Sequence, residues 1–274
     1  MTTMKVRVVT YNIAGNHDDF HARFRGIVMT LASSDADIIC LQEVSGTALH
    51  DTQAHTIAAA LGIGCVHFSP VPNWTVENAV YGNAVIFRVP LSAHSPDTIL
   101  LGRGSLVQDN GQRMPGATEE RVAAVVSCTV SASHRLVVVS AHVGIFNTTD
   151  RASGSSLRPA DCINTYVEGL LRGTGKGEAV TVLVCGDFNA EYTSPLIVAM
   201  RGYGFDAGEA FFEGKLSRYL HTARPPPLHE RPKIDYVFQK SSDPHVVKML
   251  PQLTIASPAS DHNPVLATVV LSLP

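Results

Sequence analysis

Residues 179–190 read AVTVLVCGDFNA, an apolar run that stops abruptly at polar residues. The run is rich in valine and does not alternate with polar residues, which is typical of a strand covered on both faces. A strand buried in this way needs only apolar residues. The acid and the amide at its exit, Asp187 and Asn189, must therefore be solvated or used. The stretch predicts a layered α/β protein with functional groups at the ends of its strands.

Segments of the same kind recur along the chain. Each is short, rich in Val and Ile, and bounded by turn residues. They occupy residues 5–13, 36–44, 82–87, 121–130, 135–143, 233–238 and 264–271. Helical spacing of apolar residues occurs between them, at residues 18–33, 48–62, 158–173 and 193–204. Helices alternate with strands early, while strands cluster later. This order predicts two packed sheets with helices outside, an α/β sandwich.

The composition is that of a chain able to bury a substantial core. Of its 274 residues, 45% are hydrophobic and 16% are charged. The sequence has no internal repeat or linker, and we expect one domain over residues 1–274. The formal net charge of −3 argues against tight, non-specific binding of nucleic acid, which usually requires a basic patch.

The sequence carries no signal for a membrane or for export. No apolar run is long enough to span a bilayer, and MTTMKVRVVTYN at the N-terminus lacks the features of a signal peptide. The five cysteines are odd in number, and none forms a pair with zinc-ligand spacing. We therefore expect reduced thiols and a cytoplasmic protein.

Polar side chains that suit a hard cation follow six of the strand-like segments. They are Asn12, Gln42, Glu43, His142, Asp187, Asn189, Asp235, Asp261, His262 and Asn263. Magnesium and manganese prefer carboxylate oxygens and water as ligands. Such a metal polarises a phosphoryl oxygen, while an aspartate orients the attacking water and a histidine stabilises the oxyanions. The set predicts hydrolysis of phosphate esters with Mg²⁺ or Mn²⁺ as cofactor.

Each of these residues also has an interpretation without a catalytic role. Asn12 alone is typical of a turn, and Glu43 alone suits the start of a helix. A lone His142 on a strand is usually a hydrogen-bonded core residue. Asp235 is harder to explain in this way, because it lies between apolar residues where an unpaired charge is costly. The joint occurrence of the whole set favours an active site.

Taken in order, the motifs TYN, QE, GNA, AHV, GDFNA, IDYVF and SDHNPV resemble those of the endonuclease/exonuclease/phosphatase superfamily. They run from Asn12 to Asn263, so the resemblance covers essentially the whole chain. It implies a DNase-like fold, a four-layer α/β sandwich in which two packed mixed β-sheets are flanked by helices. It also implies an active site at one edge of the two sheets.

The resemblance assigns a metal side to this site. By motif, Glu43 looks like the principal metal ligand and Asp261 like a second metal-side carboxylate. Asn12 looks like a polar partner near the metal and the phosphate. Asn83 stands where pancreatic-type deoxyribonucleases place a glutamate, and we expect it to contact substrate.

The catalytic side follows from the remaining motifs. Asp187 looks like the residue that activates or positions the attacking water, and Asn189 like a residue that supports the water or binds the phosphate. His262 resembles the phosphate-binding histidine, with Asp235 as its orienting partner. His142 resembles a second histidine on the phosphate side.

The rim loops, which select the substrate in this fold, are less informative. Three aromatic residues are candidates either to stack on a base or contact a lipid at the rim, or to pack within their own loops: Trp74, Tyr81 and Phe146. Five arginines are candidates for phosphate contacts, although scattered arginines are usually solvated surface residues: Arg103, Arg113, Arg121, Arg151 and Arg158.

Three functions remain open on the sequence alone. The first is a hydrolase, favoured as a phosphodiesterase, that acts on a small or lipid-linked phosphate ester. The second is a nuclease, which the composition does not favour. The third is a catalytically dead scaffold, which is disfavoured because no expected polar position has been lost.

Overall fold

The strands of the chain form two mixed sheets in a computed structural model that describes residues 2–15, 19–71, 79–88, 92–107, 113–144, 158–175, 177–208 and 233–273. The strands are β1 (Thr2–Asn12), β2 (Ile38–Ala48), β3 (Asp51–Thr52), β4 (Cys65–Pro70), β5 (Val80–Phe87), β6 (Ser92–Val107), β7 (Arg113–Ser131), β8 (His134–His142), β9 (Ala179–Asp187), β10 (Asp235–Ser241), β11 (Val247–Met249), β12 (Leu253–Thr254) and β13 (Val265–Leu273). The helices are α1 (Phe20–Ser34), α2 (Gln53–Ala60), α3 (Arg158–Arg172) and α4 (Pro195–Gly202), with a short 3-10 turn at Pro244–Val246.

One sheet is assembled from both ends of the chain. Its strand order is β11-β13-β1-β2-β5-β4, with β12 beside β13 and β3 beside β2. The other sheet, in the order β10-β9-β8-β7-β6, comes from the middle of the chain. Each sheet contains one parallel pair, β1 with β2 and β8 with β9, among antiparallel neighbours. Strands that end at the same edge therefore come from distant parts of the sequence.

Three apolar layers hold the sheets and helices together. Between the sheets, residues such as Val8 and Cys40 pack against Val138 and Cys185 of the opposite sheet. Helices α1 and α2 cover the outer face of the first sheet, and α3 and α4 cover that of the second. Each fully buried aliphatic side chain contributes about 1.5–3 kcal/mol through the hydrophobic effect. The predicted four-layer α/β sandwich is confirmed.

Two predicted boundaries were wrong. The second helix begins at Gln53 rather than near Ala48, because β2 continues to Ala48 and its end pairs with β3. The strand predicted at residues 121–130 begins at Arg113 instead, because residues 113–120 pair with residues 103–107 of β6 as part of a long hairpin. Ladder hydrogen bonds to a neighbouring strand satisfy the backbone there whatever the side chains are.

None of the helices in the described ranges is long and apolar enough to cross a membrane. The five cysteines are free thiols.

Candidate active site

Three neighbouring strands place acidic and imidazole groups side by side. His142 at the end of β8 is in register with Asp187 at the end of β9, and Asp187 is in register with Asp235 at the start of β10. Residues in register on adjacent strands present their side chains to the same face of a sheet. Gly186 lets β8 and β9 approach closely, since a Cβ there would lie 1.9 Å from the Ala141 carbonyl oxygen.

The first sheet supplies Asn12 and Glu43. Asn12 ends β1 opposite Gln42 of β2, and the next residue, Glu43, lies in a bulge where the register of β2 shifts. Glu43 has a φ of 55°, and Asn189 has one of 47°. A residue with a side chain held in this left-handed region costs on the order of 1–3 kcal/mol, which folds tolerate mainly at functional sites. The backbone conformations of Glu43 and Asn189 therefore set the directions of their side chains.

The Asp187 carboxylate joins the two sheets. Its Oδ2 accepts a hydrogen bond from Nδ2 of Asn12 at 3.0 Å, and the same nitrogen donates to Oε1 of Glu43 at 3.0 Å. Oδ2 also lies 3.6 Å from Nε2 of both His142 and His262. The backbone N–H of Asn189 donates to Oδ1 at 2.8 Å. One buried carboxylate, 1% exposed, thus faces an amide and two imidazoles.

The pKa of Asp187 is raised from 3.8 to about 7, because burial, together with the nearby charge of Asp235, outweighs the attraction of His262. Burial opposes a charge on His262, but the carboxylates of Asp235 and Asp187 outweigh it and hold the pKa of this imidazole well above its ordinary value. A carboxylate that titrates near neutral pH suits a general base. A charged imidazole beside it suits an anionic substrate.

His142 has the opposite electrostatic character. Burial, followed by the charges of Arg121 and His262, lowers the pKa of His142 well below its ordinary value. A guanidinium nitrogen of Arg121 lies 3.0 Å from Nδ1 and 3.4 Å from Nε2, so the cation lies against the ring. Nδ2 of Asn189 contacts Nε2 at 3.1 Å and donates to the Val143 carbonyl at 2.8 Å. The site therefore combines one neutral and one charged imidazole.

The loop before β13 carries His262 into the site. Nδ1 of His262 lies 2.9 Å from Oδ2 of Asp235. The hydroxyl of Ser260 donates to the backbone carbonyl of Asn12 at 2.8 Å, and Arg23 donates to the carbonyls of Ala14 and Ala259 at 2.8 Å each. These bonds tie the loop to the end of β1.

This geometry has relatives among known proteins. The sequence profile of the Endonuclease/Exonuclease/phosphatase family matches residues 9–262. The chain belongs to this family. The predicted family is thereby confirmed.

Several solved structures share the fold of this family member. The catalytic domain of human nocturnin, determined with a bound sulfate anion, is 18% identical with a TM-score of 0.71, over 99% of this chain and 97% of that one. ANGEL2, a 2′,3′-cyclic phosphatase in complex with adenosine-2′,3′-vanadate, is 18% identical with a TM-score of 0.67, over 99% and 97%. A family protein from Bacteroides vulgatus is 18% identical with a TM-score of 0.69, over 98% and 100%. No curated protein matches the chain in sequence.

The structure brings most of the predicted site residues of this family member together. The connected set comprises Asn12, Glu43, His142, Asp187, Asn189, Asp235 and His262. Asp261 is exposed, and its Oδ1 lies 3.2 Å from the hydroxyl oxygen of Ser260. Asn83 is buried and donates to the Val122 carbonyl at 2.7 Å, and no contact in the described part of the chain joins it to the connected set.

The metal ligands predicted from the sequence differ from a group of possible ligand atoms that lie close together in the structure. Asp187, Asp235 and His262 each offer an atom within 4.8 Å of the others, and none of them belongs to the predicted metal set. Asn12 presents its amide nitrogen to the carboxylates, while its oxygen accepts from the N–H of Ala14 at 3.0 Å. Metal ligation through that oxygen would require the amide to turn.

The structure decides between the open interpretations of two rim residues. Tyr81 is a packing residue, since it is 4% exposed and lies against Val71 and Val122. Arg121 is not a solvated surface residue, because its side chain is only 13% exposed and pairs with Glu119. Trp74, Phe146 and Arg151, and the side chain of Arg113, lie outside the described residues.

Sequence reasoning missed the buried ion pair of Arg121 and Glu119. Burial raises the pKa of Glu119. The positive charge of Arg121 opposes this effect, and the charge of Glu43 adds to it. Tyr81 also shares a hydrogen bond with Arg121. The sequence held one indication of this ion pair. Three consecutive charged residues, Glu119, Glu120 and Arg121, directly precede the apolar core of a strand, and Arg121 is the nearest of them to that core.

Proposed function

We propose that the protein is a divalent-metal-dependent hydrolase of phosphate esters, acting as a phosphodiesterase. The observation that carries this proposal is the buried Asp187 carboxylate, which faces two imidazoles of opposite character and an amide shared with Glu43. Two structures with the same fold support it, because one holds sulfate, an anion with the shape of phosphate, and the other is a 2′,3′-cyclic phosphatase.

The residues present fit a divalent cation. Glu43, Asp187 and Asp235 bring three carboxylates to one end of the sandwich, and Asp187 has a pKa raised to about 7. Burial, together with the charge of Asp235, disfavours the ionised form of Asp187, and a bound cation would offset this cost. We propose that Glu43, whose side chain is 19% exposed, and Asp261 hold the ion, with Asn12 between the carboxylates. When bound, Mg²⁺ or Mn²⁺ stabilises charge on the phosphoryl and leaving oxygens.

The side chains of the site have separate roles in the proposed reaction. Asp187 orients the attacking water and accepts its proton as the water oxygen bonds to phosphorus. The bond between phosphorus and the leaving oxygen, on the opposite side, breaks in the same displacement, and the leaving oxygen departs with the electron pair of that bond. The N–H of Asn189 keeps this carboxylate in place. The charged His262 stabilises the phosphoryl oxygens, and Asp235 fixes its orientation. The neutral His142 offers a hydrogen bond, with Asn189 beside it.

Arg121 is a further proposed phosphate contact. Its guanidinium lies against His142 and is held by Glu119 and Tyr81. A planar guanidinium binds phosphate oxygens with two parallel hydrogen bonds. Asn83 remains a proposed substrate residue, acting from the strand that also carries Tyr81.

A panel of substrates tests the proposed function. Purified protein is assayed against an aryl phosphodiester, an aryl phosphomonoester, plasmid DNA and single-stranded oligonucleotides, with Mg²⁺, Mn²⁺ or chelator. We expect metal-dependent cleavage of the diester, lost in Asp187→Asn. Preferred cleavage of the plasmid or oligonucleotides would make the protein a nuclease, and no cleavage of any substrate would favour a catalytically dead scaffold.

We also propose a reducing, cytoplasm-like compartment. Cys40, Cys128 and Cys185 are buried as free thiols among apolar core residues, where they pack as small hydrophobic groups. Alkylation of the protein taken from its native cells should label all five cysteines after unfolding without reductant. Disulfide-linked peptides would contradict the proposal.

A further inference from the structure

Three fully buried polar side chains form a chain of hydrogen bonds beneath the site. The hydroxyl of Thr10 donates to Oε1 of Gln42 at 3.2 Å. Nε2 of Gln42 donates to the hydroxyl oxygen of Ser140 at 3.0 Å, and that hydroxyl donates to the carbonyl of Leu41 at 3.1 Å. The donors and acceptors follow one consistent direction, and all three residues are 0% exposed.

Each member of this polar chain is a near neighbour of a site residue. Thr10 precedes Asn12 by two positions on β1, and Gln42 directly precedes Glu43 on β2. Ser140 precedes His142 by two positions on β8, which belongs to the other sheet. The Gln42–Ser140 bond therefore crosses from one sheet to the other directly below the groups that form the site.

Other hydrogen bonds between the sheets lie on other strand pairs, such as that from Asn83 of β5 to the Val122 carbonyl of β7 at 2.7 Å. Next to the Gln42–Ser140 bond, β2 and β8 meet through apolar residues. The layer between the sheets is apolar, with Val8, Cys40, Val138 and Cys185 among its members. Apolar contact is non-directional and roughly proportional to buried area, so it resists separation of the sheets more than a small slide. A hydrogen bond loses strength within a few tenths of an ångström and with modest changes of angle.

Stability alone does not explain this arrangement. Burial of an amide and two hydroxyls is unfavourable without hydrogen bonds, and with them the net gain is small. Replacement of both partners of such a bond by apolar groups of the same shape is close to neutral. Residues of this kind at this place are therefore better explained by alignment than by stability.

We propose that Gln42 and Ser140 are positioning residues that set β2 against β8, and thereby set Glu43 against His142. This inference rests on the proposed function, since it concerns the same site. The separation that they control is the 3.9 Å between Oε1 of Glu43 and Nε2 of His142. The Asn12–Asp187 hydrogen bond also crosses between the sheets, but it joins β1 to β9 and leaves the pair β2 and β8 to Gln42 and Ser140.

The test separates alignment from stability with an all-apolar variant, Thr10→Val combined with Gln42→Met and Ser140→Ala. The single variant Ser140→Ala leaves the Gln42 amide and the Leu41 carbonyl short of a partner. The matched control is Thr181→Val, which removes a buried hydroxyl that contacts His134 at 3.0 Å near the opposite end of β9. Each protein is measured by urea unfolding, by Mn²⁺ titration followed by electron paramagnetic resonance, and by kcat and KM with the aryl phosphodiester.

We expect the all-apolar variant to unfold at the wild-type urea concentration or above. Its kcat should fall by about 10- to 100-fold, the order of loss expected for a displacement of up to an ångström. Its Mn²⁺ affinity should weaken, because Glu43 is displaced, while Thr181→Val should keep wild-type kcat and Mn²⁺ affinity even if it is less stable. Wild-type stability together with a reduced kcat in the all-apolar variant is a result that a purely structural role does not give.

Wild-type kcat and Mn²⁺ affinity in the all-apolar variant would overturn the inference. If that variant does not fold, Ser140→Ala decides the matter, since wild-type kcat in its folded form would equally overturn it. A wild-type protein that binds no Mn²⁺ and cleaves no substrate would contradict the proposed function, and this inference with it. An active wild type with an equally active variant would contradict the inference alone.

Discussion

Nδ1 of His262 lies 2.9 Å from Oδ2 of Asp235, and both side chains are buried. The other ring nitrogen of His262 faces Asp187, at 3.6 Å. A carboxylate bonded to one nitrogen fixes the orientation of an imidazole and leaves the other nitrogen available to a ligand. Burial opposes the charge on this ring, but Asp235 and Asp187 hold its pKa well above the ordinary value. The pair presents a fixed positive charge at the bottom of the site.

Asp235→Asn should therefore impair the reaction more than metal binding. The substitution keeps the size of the side chain but removes the charge that favours an imidazolium. We expect kcat to fall by about 100- to 1000-fold, as for the loss of one electrostatic donor. Mn²⁺ affinity, measured by titration, should remain close to wild type.

The same pair gives a test of non-additivity. Asp235→Asn combined with His262→Ala should be little worse than the worse single variant, because residues that act as a unit are not additive. If the rate loss of the double variant equals the product of the losses of the two single variants, the residues act independently.

Glu43→Gln should weaken metal binding more than any other single substitution in the site. It replaces an anionic oxygen with a neutral amide oxygen on the side chain that we propose as principal ligand. The matched control is Glu120→Gln, since Glu120 pairs with the exposed Arg103 at 3.3 Å. Isothermal titration with Mg²⁺ and Mn²⁺ compares the two variants. Wild-type titration by Glu43→Gln would move the ligand role to the group of Asp187, Asp235 and His262.

The stability of the metal-free protein should fall as the pH rises above 6.5, the ordinary pKa of the His262 imidazole. The folded-state pKa of His262 is raised above 6.5 because Asp235 and Asp187 outweigh the effect of burial. A raised folded-state pKa gives stability that is complete below the unfolded value and is lost as the pH rises through the folded value. Asp187, raised from 3.8 to about 7 by burial, has the same sign but acts at lower pH. His142, with a lowered pKa, has the opposite sign below 6.5.

Urea unfolding in chelator measures this slope, which reaches at most about 1.4 kcal/mol per pH unit for one linked proton. His262→Gln should flatten the curve above pH 6.5. An unchanged slope in this variant would mean that another group titrates there. Added Mg²⁺ should raise stability most above pH 7, where Asp187 has lost its proton.

Arg23→Met should destabilise the protein and lower its activity. The guanidinium donates to the carbonyls of Ile13, Ala14 and Ala259 at 2.8 Å each, which joins the end of β1 to the loop that carries His262. Hydrogen bonds from charged groups contribute about 1.5–3 kcal/mol each, so we expect a loss of several kcal/mol. The control is Asp19→Ala, which removes the partly exposed ion pair with Arg23 and should cost less than about 1 kcal/mol. Equal losses in the two variants, measured by urea unfolding, would show that the carbonyl contacts contribute little.

The local sequence determined a large part of this protein. Apolar runs without alternation, each followed by an acid, an amide or a histidine, predicted the buried strands and the polar groups at their ends. These patterns depend on neighbours within one segment, such as Val184, Cys185 and Asp187 on β9, so a linear sequence records them. The motif order then predicted the family and the sandwich, and both are confirmed.

Only the tertiary structure decided which groups meet and how each is charged. Asp187 and His262 shift each other's pKa although they are far apart in sequence, and no local pattern records this contact. Arg121 looked like a solvated arginine until β7 placed it against His142. The pairing of Gln42 with Ser140 depends on two sheets packed face to face. Burial and electrostatic fields depend on distances in space, and those distances are fixed only after strands distant in sequence have taken their register.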